Sequence, residues 1–445
     1  MAEPSRGIGA ALAEARRKAE RSLLRDHERD GASVSNLKLF FDLVYVFAVT
    51  QLSHYLLSDL SWLRAFQTTV LFGAVWWAWM YTTWATNWID PDRAPNRLVI
   101  GLAMLASLLM ACALPYAFSY LGWVFAGAYL AIQIGRTLYV SWAMGEWRRN
   151  DRYSLLRIAI WFGVSAIPWL AGSLASDAET RAAWWVAALA IDYSGPFVFY
   201  WVPVIGASRA EDWRISGHHM AERCGLFIII ALGEGLIITG ATYAGAPPTS
   251  GLTSALVITF LGSFAMWWIY FDLGARRGAE HIEKHENPGL IARQAFTYWH
   301  IPIVGGIILL AVADELVMAH PLEPAHAGFA FVLGAGMALF LWGVMSFKRI
   351  SSGRPWYPAS HTSGLALVAM MTLAGLLLHP PHLAMSAIGT VIFGIVALWE
   401  WGSFHGGWIE RMEARGWWLG AVLRRRAQFR IAQYERQEKT ADPRG

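Results

Sequence analysis

Twelve apolar stretches, each about 19–23 residues long, recur along this chain of 445 residues. A helix of that length crosses the hydrocarbon core of a bilayer. The spans are 37–57, 66–86, 98–118, 121–142, 155–175, 183–203, 224–244, 252–272, 296–318, 327–347, 361–379 and 384–404. The basic residues follow the same rhythm. Of 36 Lys and Arg, 32 fall in the N-terminal segment, in or at the edge of every second connection, and in the C-terminal tail. The opposite connections hold only Arg64 and Arg181, while Lys38 and Arg136 lie inside spans. Under the positive-inside rule this alternation predicts an all-α, twelve-helix membrane protein with both termini in the cytoplasm.

The bulk composition agrees. Hydrophobic residues make up 56% and charged residues 15%, and the loops are too short for a soluble domain. The basic balance is therefore a topology signal, with no folded basic face for nucleic acid. Cys112 and Cys224 both lie in or beside spans, so no disulfide framework or zinc motif follows. Residues 1–36 are polar and lack the apolar core of a cleavable signal peptide, which leaves the first span as an uncleaved anchor in the inner membrane. Many of the 25 tryptophans, Trp62, Trp88, Trp123, Trp147 and Trp408 among them, fall near span ends, as interfacial indoles do.

The organisation reads as a basic N-terminal segment (1–36), a first six-helix half (37–203), a cytoplasmic linker (204–223), a second half (224–404) and a tail (405–445). In the tail, Trp417, Trp418, Val422, Leu423 and Phe429 among arginines outline an amphipathic helix on the inner leaflet. At an offset of 189, Leu37 meets Leu226, Thr50 meets Thr239, Gly73 meets Gly262, Trp79 meets Trp268 and Tyr81 meets Tyr270. That is either a six-plus-six parallel repeat, as in some transporters, or a chance match between Leu-rich helices.

Ionisable side chains at the centre of a membrane helix cost about 2.5–3.5 kcal/mol each on insertion scales, so each needs a reason. The candidates are Asp42, Arg136, Asp192, Glu234 and Asp314 with Glu315, with Gln51, His54, Gln133 and His300 as polar companions. Asp42 and Arg136 lie at similar depth and could form an ion pair. Asp192 and Glu234 both fall near the midplane, and two carboxylates sharing a site there would hold a proton. Each candidate also has a structural reading: a pair that fixes packing, a carboxylate bonded to a neighbouring helix that never titrates, or, for Asp314 and Glu315 near the outer end, side chains that simply face water. Glu234 stands between Gly233 and Gly235, which marks a close helix approach or a break. His219 with Glu222, and His281 with His285, have helical spacing but no third ligand nearby, so neither metal nor cofactor is expected.

Several strings resemble the bacterial low temperature requirement A family. They run from Leu39-Phe40-Phe41-Asp42 to Gln51-Leu52, through Trp76-Trp77-Ala78-Trp79-Met80-Tyr81, and from His219 through Glu222-Arg223-Cys224 to Leu232-Gly233-Glu234. Lys38 departs from the acidic residue expected before the Leu-Phe-Phe-Asp string. The resemblance implies a multi-pass bacterial membrane protein without implying an activity.

Three functional classes fit these features: a secondary transporter or permease, proton-coupled and moving an unidentified small molecule or ion; a membrane-embedded enzyme or lipid-handling protein; and a membrane-stress sensor without turnover. The partners expected are the lipid bilayer and that small substrate. The topology predicts that loop 273–295 is cytoplasmic and that 245–251 and 320–326 face outward. In a variant lacking Cys112 and Cys224, Gly278→Cys should resist an impermeant thiol reagent in intact cells. Labelling there would reverse the topology.

Overall fold

The computed structural model describes residues 23–24, 36–145, 148–209, 217–272, 288–353 and 355–405, together with 412–418, 420–422, 424–425 and 428. Among the described residues there is no strand, and a helical segment lies on every predicted span. In chain order these are α1 (Asn36–Leu57), α2 (Trp62–Trp88) and α3 (Ala94–Ala113, followed by a 3-10 turn Leu114–Tyr116). Next, α4 consists of Gly122–Leu130 and Arg136–Met144 joined by a π turn, Ala131–Gly135. Then come α5 (Arg149–Leu174), α6 (Ala178–Ser194), α7 (Gly217–Ala244) and α8 (Ser250–Phe271). Helix α9 starts as Pro288–Ala292, passes through a π turn Arg293–Tyr298 and continues as His300–Ala319. Helices α10 (Ala327–Ser351), α11 (Ala359–Leu378) and α12 (His382–His405) complete the bundle.

Nine of these, α1, α3, α5 and α7–α12, are long and apolar enough to cross a membrane. Helix α2 falls short because Trp and Thr fill it, α4 is interrupted, and α6 is short. The α2 sequence makes sense once its place is known. From Val70 to Trp88 nearly every residue is buried, so α2 presents its rings and hydroxyls to other helices. Trp77 stacks on Tyr193 of α6 at 4.0 Å, and Trp76 donates to the Thr297 carbonyl in the α9 π turn at 2.9 Å.

The connections also have local causes. Ser61, Asp177, Thr249 and His326 cap the N-termini of α2, α6, α8 and α10, each accepting from a backbone N–H three residues on. The Thr180 backbone N–H holds the exposed Asp177 carboxyl below the ordinary carboxylate range. All four caps start even-numbered helices. Arg64 and Arg181, the two exceptions to the basic alternation, are both engaged. Arg64 lies over the Tyr55 ring at 4.3 Å. Arg181 donates to the carbonyls of Gly172, Ala117, Ser119 and Ala175, which close the ends of α5 and the turn after α3. Helices α9 and α10 cross at glycines: a Cβ on Gly306 would lie 2.6 Å from the Phe340 nitrogen and 2.7 Å from the Gly336 carbonyl.

Two sequence boundaries are corrected. The sixth span, set at 183–203, is helical only to Ser194, because Pro196 cannot continue the ladder. The chain beyond it is irregular, and Arg157 and Trp161 of α5 bind the carbonyls of Ile205 and Trp201. The 204–223 linker is also shorter than expected, since α7 already begins at Gly217 and takes His219, Glu222 and Arg223 into its first turns. Most of the N-terminal segment, most of loop 273–295 with His281 and His285, and most of the tail helix lie outside the described residues.

Candidate functional site

Two buried polar assemblies flank α2. The first joins α1, α2 and α7. Arg223 grips Asp42 with both terminal nitrogens, Nη1 to Oδ2 and Nη2 to Oδ1, each at 2.8 Å. Nη1 also donates to the Lys38 carbonyl at 2.8 Å, and Trp79 Nε1 donates to Asp42 Oδ1 at 2.8 Å. Both charged side chains have zero exposure. Phe41 and Trp79 lie near the guanidinium, each 5.8 Å from ring centroid to Cζ, and Phe227 packs on Trp79 at 4.4 Å. A bidentate pair with further donors and an aromatic wall offsets the cost of burying both charges.

This corrects the expected Asp42–Arg136 pair. Asp42 faces α7, and Arg136 belongs to the second assembly, which joins α2, α4, α5 and α6. Arg136 donates to Thr82 Oγ1 at 2.8 Å, to the Ala78 carbonyl at 3.3 Å and to Gln133 Oε1 at 2.6 Å. Gln133 Nε2 donates to Tyr129 Oη at 3.2 Å, and Tyr129 donates to Asp192 Oδ2 at 2.6 Å. Trp169 Nε1 reaches the same oxygen at 3.3 Å. An arginine can only donate, so it fixes Gln133 with its oxygen toward Arg136 and its NH2 toward Tyr129. Every donor in the chain therefore points from Arg136 toward Asp192. The π turn supplies Gln133, an irregularity often found at functional positions.

This relay does not cancel its charges as the first assembly does. Among the described residues no cation contacts Asp192 and no carboxylate contacts Arg136. Asp192 Oδ1 is buried with no close donor, and the Ser165 hydroxyl, which bonds the Phe162 carbonyl at 3.2 Å, stands beside the carboxyl. Arg136 borders a cavity of about 20 Å³ lined by Tyr81, Trp84 and Trp88.

The remaining candidates are dispersed. Glu234 is buried on α7, and no hydrogen bond or ion pair reaches it among the described residues. Gly235 beside it meets Ala311 of α9 at Cβ distance 4.0 Å. Asp192 is held by residues of α4 and α5, and Glu234 sits on α7, which packs against α9. His300 is buried, with Nε2 2.8 Å from Tyr270 Oη and Nδ1 2.9 Å from the Ala295 carbonyl. His219 is buried in the first turn of α7. Gln51 and His54 occupy the second half of α1, and His54 is exposed. Sequence reasoning missed one ion pair. Lys348 donates to both Glu400 oxygens, at 2.6 and 2.7 Å, and to the Ile269 carbonyl at 2.6 Å, with His361 3.9 Å from Glu400. Glu400 lies inside the last span, so the rule that singled out Asp42 applied to it as well.

The first assembly is built from the Leu-Phe-Phe-Asp string, the tryptophan string of α2 and the segment around Arg223. Residues 33–398 match the family model described as bacterial low temperature requirement A protein (LtrA). The chain belongs to the LtrA family. It is 40% identical over 382 residues to the uncharacterized protein RA0937 of Rhizobium meliloti (strain 1021), covering 85% of this chain and 91% of that protein. No solved structure matches. As an LtrA-family member this is a multi-pass membrane protein, and the strings that carry the resemblance are the ones that converge on Asp42 and Arg223.

Asp42→Asn should leave Arg223 buried without its anion and cost about 3–5 kcal/mol. Adding Arg223→Gln should recover part of the loss in thermal stability, while adding Arg136→Gln should recover none. Rescue by the Arg136 change alone would contradict this pairing.

Proposed function

We propose that this LtrA-family protein is a proton-coupled secondary transporter of the bacterial inner membrane, with twelve crossings, both termini cytoplasmic and a small molecule or ion as substrate. The observation that carries this reading is the relay from Arg136 to Asp192. Charged groups at membrane depth are costly, and carboxylates there serve in the proton paths of pumps and transporters. Asp192 offers a proton carrier a buried carboxyl, one oxygen held by Tyr129 and Trp169, and a second oxygen whose nearby hydroxyl, Ser165, is already bonded to the Phe162 carbonyl at 3.2 Å. A proton entering on Oδ1 removes the negative charge. The bond from Tyr129 to Oδ2 then weakens, because hydrogen bonds to ionised acceptors are about twice as strong as neutral ones. Tyr129 and Gln133 pass that change to Arg136, whose guanidinium borders the small cavity.

Asp42 is not the carrier in this mechanism, because Arg223 already compensates it. Glu234 is a second buried carboxyl available for coupling. A lipid-handling role is the alternative reading. It is favoured by an apolar groove of about 500 Å³ between α2, α9 and α10, lined by Phe72, Trp299, Ile301, Leu309 and Trp342.

Infrared difference spectra of the reconstituted protein during a pH titration test the proposal. A protonated-carboxyl band should appear as pH falls, vanish in Asp192→Asn and shift in Tyr129→Phe. A spectrum identical in wild type and Asp192→Asn at every pH would remove Asp192 as the carrier.

A further inference from the structure

A second small cavity lies on the other side of the bundle, between α8, α9, α10 and α12. Its volume is about 20 Å³, and Asp314, Thr259, Ser386 and Thr390 supply its polar lining. A cavity of that size accommodates one water-sized occupant. The remaining wall is apolar, with Leu310, Leu333, Met266 and Met337 among its residues.

The hydrogen-bond inventory shows what the cavity lacks. Thr259 spends its hydroxyl hydrogen on the Leu256 carbonyl at 3.1 Å, and Thr390 spends its own on the Ile258 carbonyl at 3.2 Å. Both oxygens are left with only lone pairs to offer. Ser386 is buried, and its Oγ has no hydrogen-bond partner. No hydrogen bond or cation reaches Asp314 among the described residues. The lining thus holds a carboxylate, two hydroxyl oxygens with their protons committed elsewhere, and one unsatisfied hydroxyl. It is rich in acceptors and poor in donors, which suits a cation.

We infer that this cavity is a binding site for a sodium ion. Hard cations take oxygen ligands, and Asp314, Thr259, Thr390 and Ser386 offer up to five oxygens around a space for one small ion. A single carboxylate matches a single positive charge. The apolar wall lowers the local dielectric, which strengthens the attraction between the ion and Asp314. The site shares no residue with the Asp192 relay, so it stands independently of the proton reading.

The test is thermal unfolding of the purified full chain in detergent, titrated with NaCl, KCl or choline chloride at constant ionic strength. Sodium should raise the melting midpoint saturably, with little effect from potassium or choline. Asp314→Asn should lose that shift, and Asp192→Asn should keep it. If Asp314→Asn does not fold, Ser386→Ala, a smaller change, should raise the half-saturating sodium concentration about tenfold. Equal responses to all three salts, or a sodium shift unchanged in these variants, would overturn the inference.

Discussion

The bidentate contact between Asp42 and Arg223 is the constraint around which the rest is arranged. It binds α1 to α7, and Trp79 adds α2 to the junction. Neither charge could remain at that depth alone, so the pair imposes one helix order on this part of the bundle. Once α1 and α7 are fixed, α2 is enclosed over Val70 to Trp88. A helix enclosed in this way does not need a lipid-facing surface. It can carry Trp, Tyr and Thr where the outer helices carry Leu and Ile.

Enclosure of α2 separates two kinds of buried polarity. On one side the charges meet directly and cancel. On the other, Arg136 and Asp192 do not touch and are joined through Gln133 and Tyr129 by hydrogen bonds. A cancelled pair suits a rigid joint, because removing either partner is costly. A relay that ends on a carboxyl with no cation against it suits a group that changes its proton count. The Lys348–Glu400 pair repeats the first kind in the second half of the chain, again tying the ends of transmembrane helices together.

Much of this was legible in the sequence. Span length predicted where the helices of the described residues fall, because hydropathy is a local property. Pro196 carried the signal that ends α6, although hydropathy ran past it. Of the ionisable residues inside spans, Asp42, Arg136 and Asp192 fall within the two assemblies, with Glu400 the omission. Their partners were not legible. Depth alone makes Arg136 as good a match for Asp42 as Arg223, and the first window assigned to α7 opened at Cys224, which left Arg223 outside the helix. Pairing depends on which helices are neighbours in space, and spacing along the chain does not encode that. The proposed repeat shows the same limit: Trp79 is fully buried, while Trp268, its match at the 189 offset, is partly exposed on α8.

The central claim is a division of labour between a static ion pair and a relay that changes its protonation. Structures of the protein in lipid nanodiscs at acid and alkaline pH test it most directly. The account predicts that the Asp42–Arg223–Trp79 contacts coincide in the two structures, while the Tyr129–Asp192 and Gln133–Arg136 contacts differ. An unchanged relay, or an Asp42–Arg223 pair that opens with pH, would contradict it.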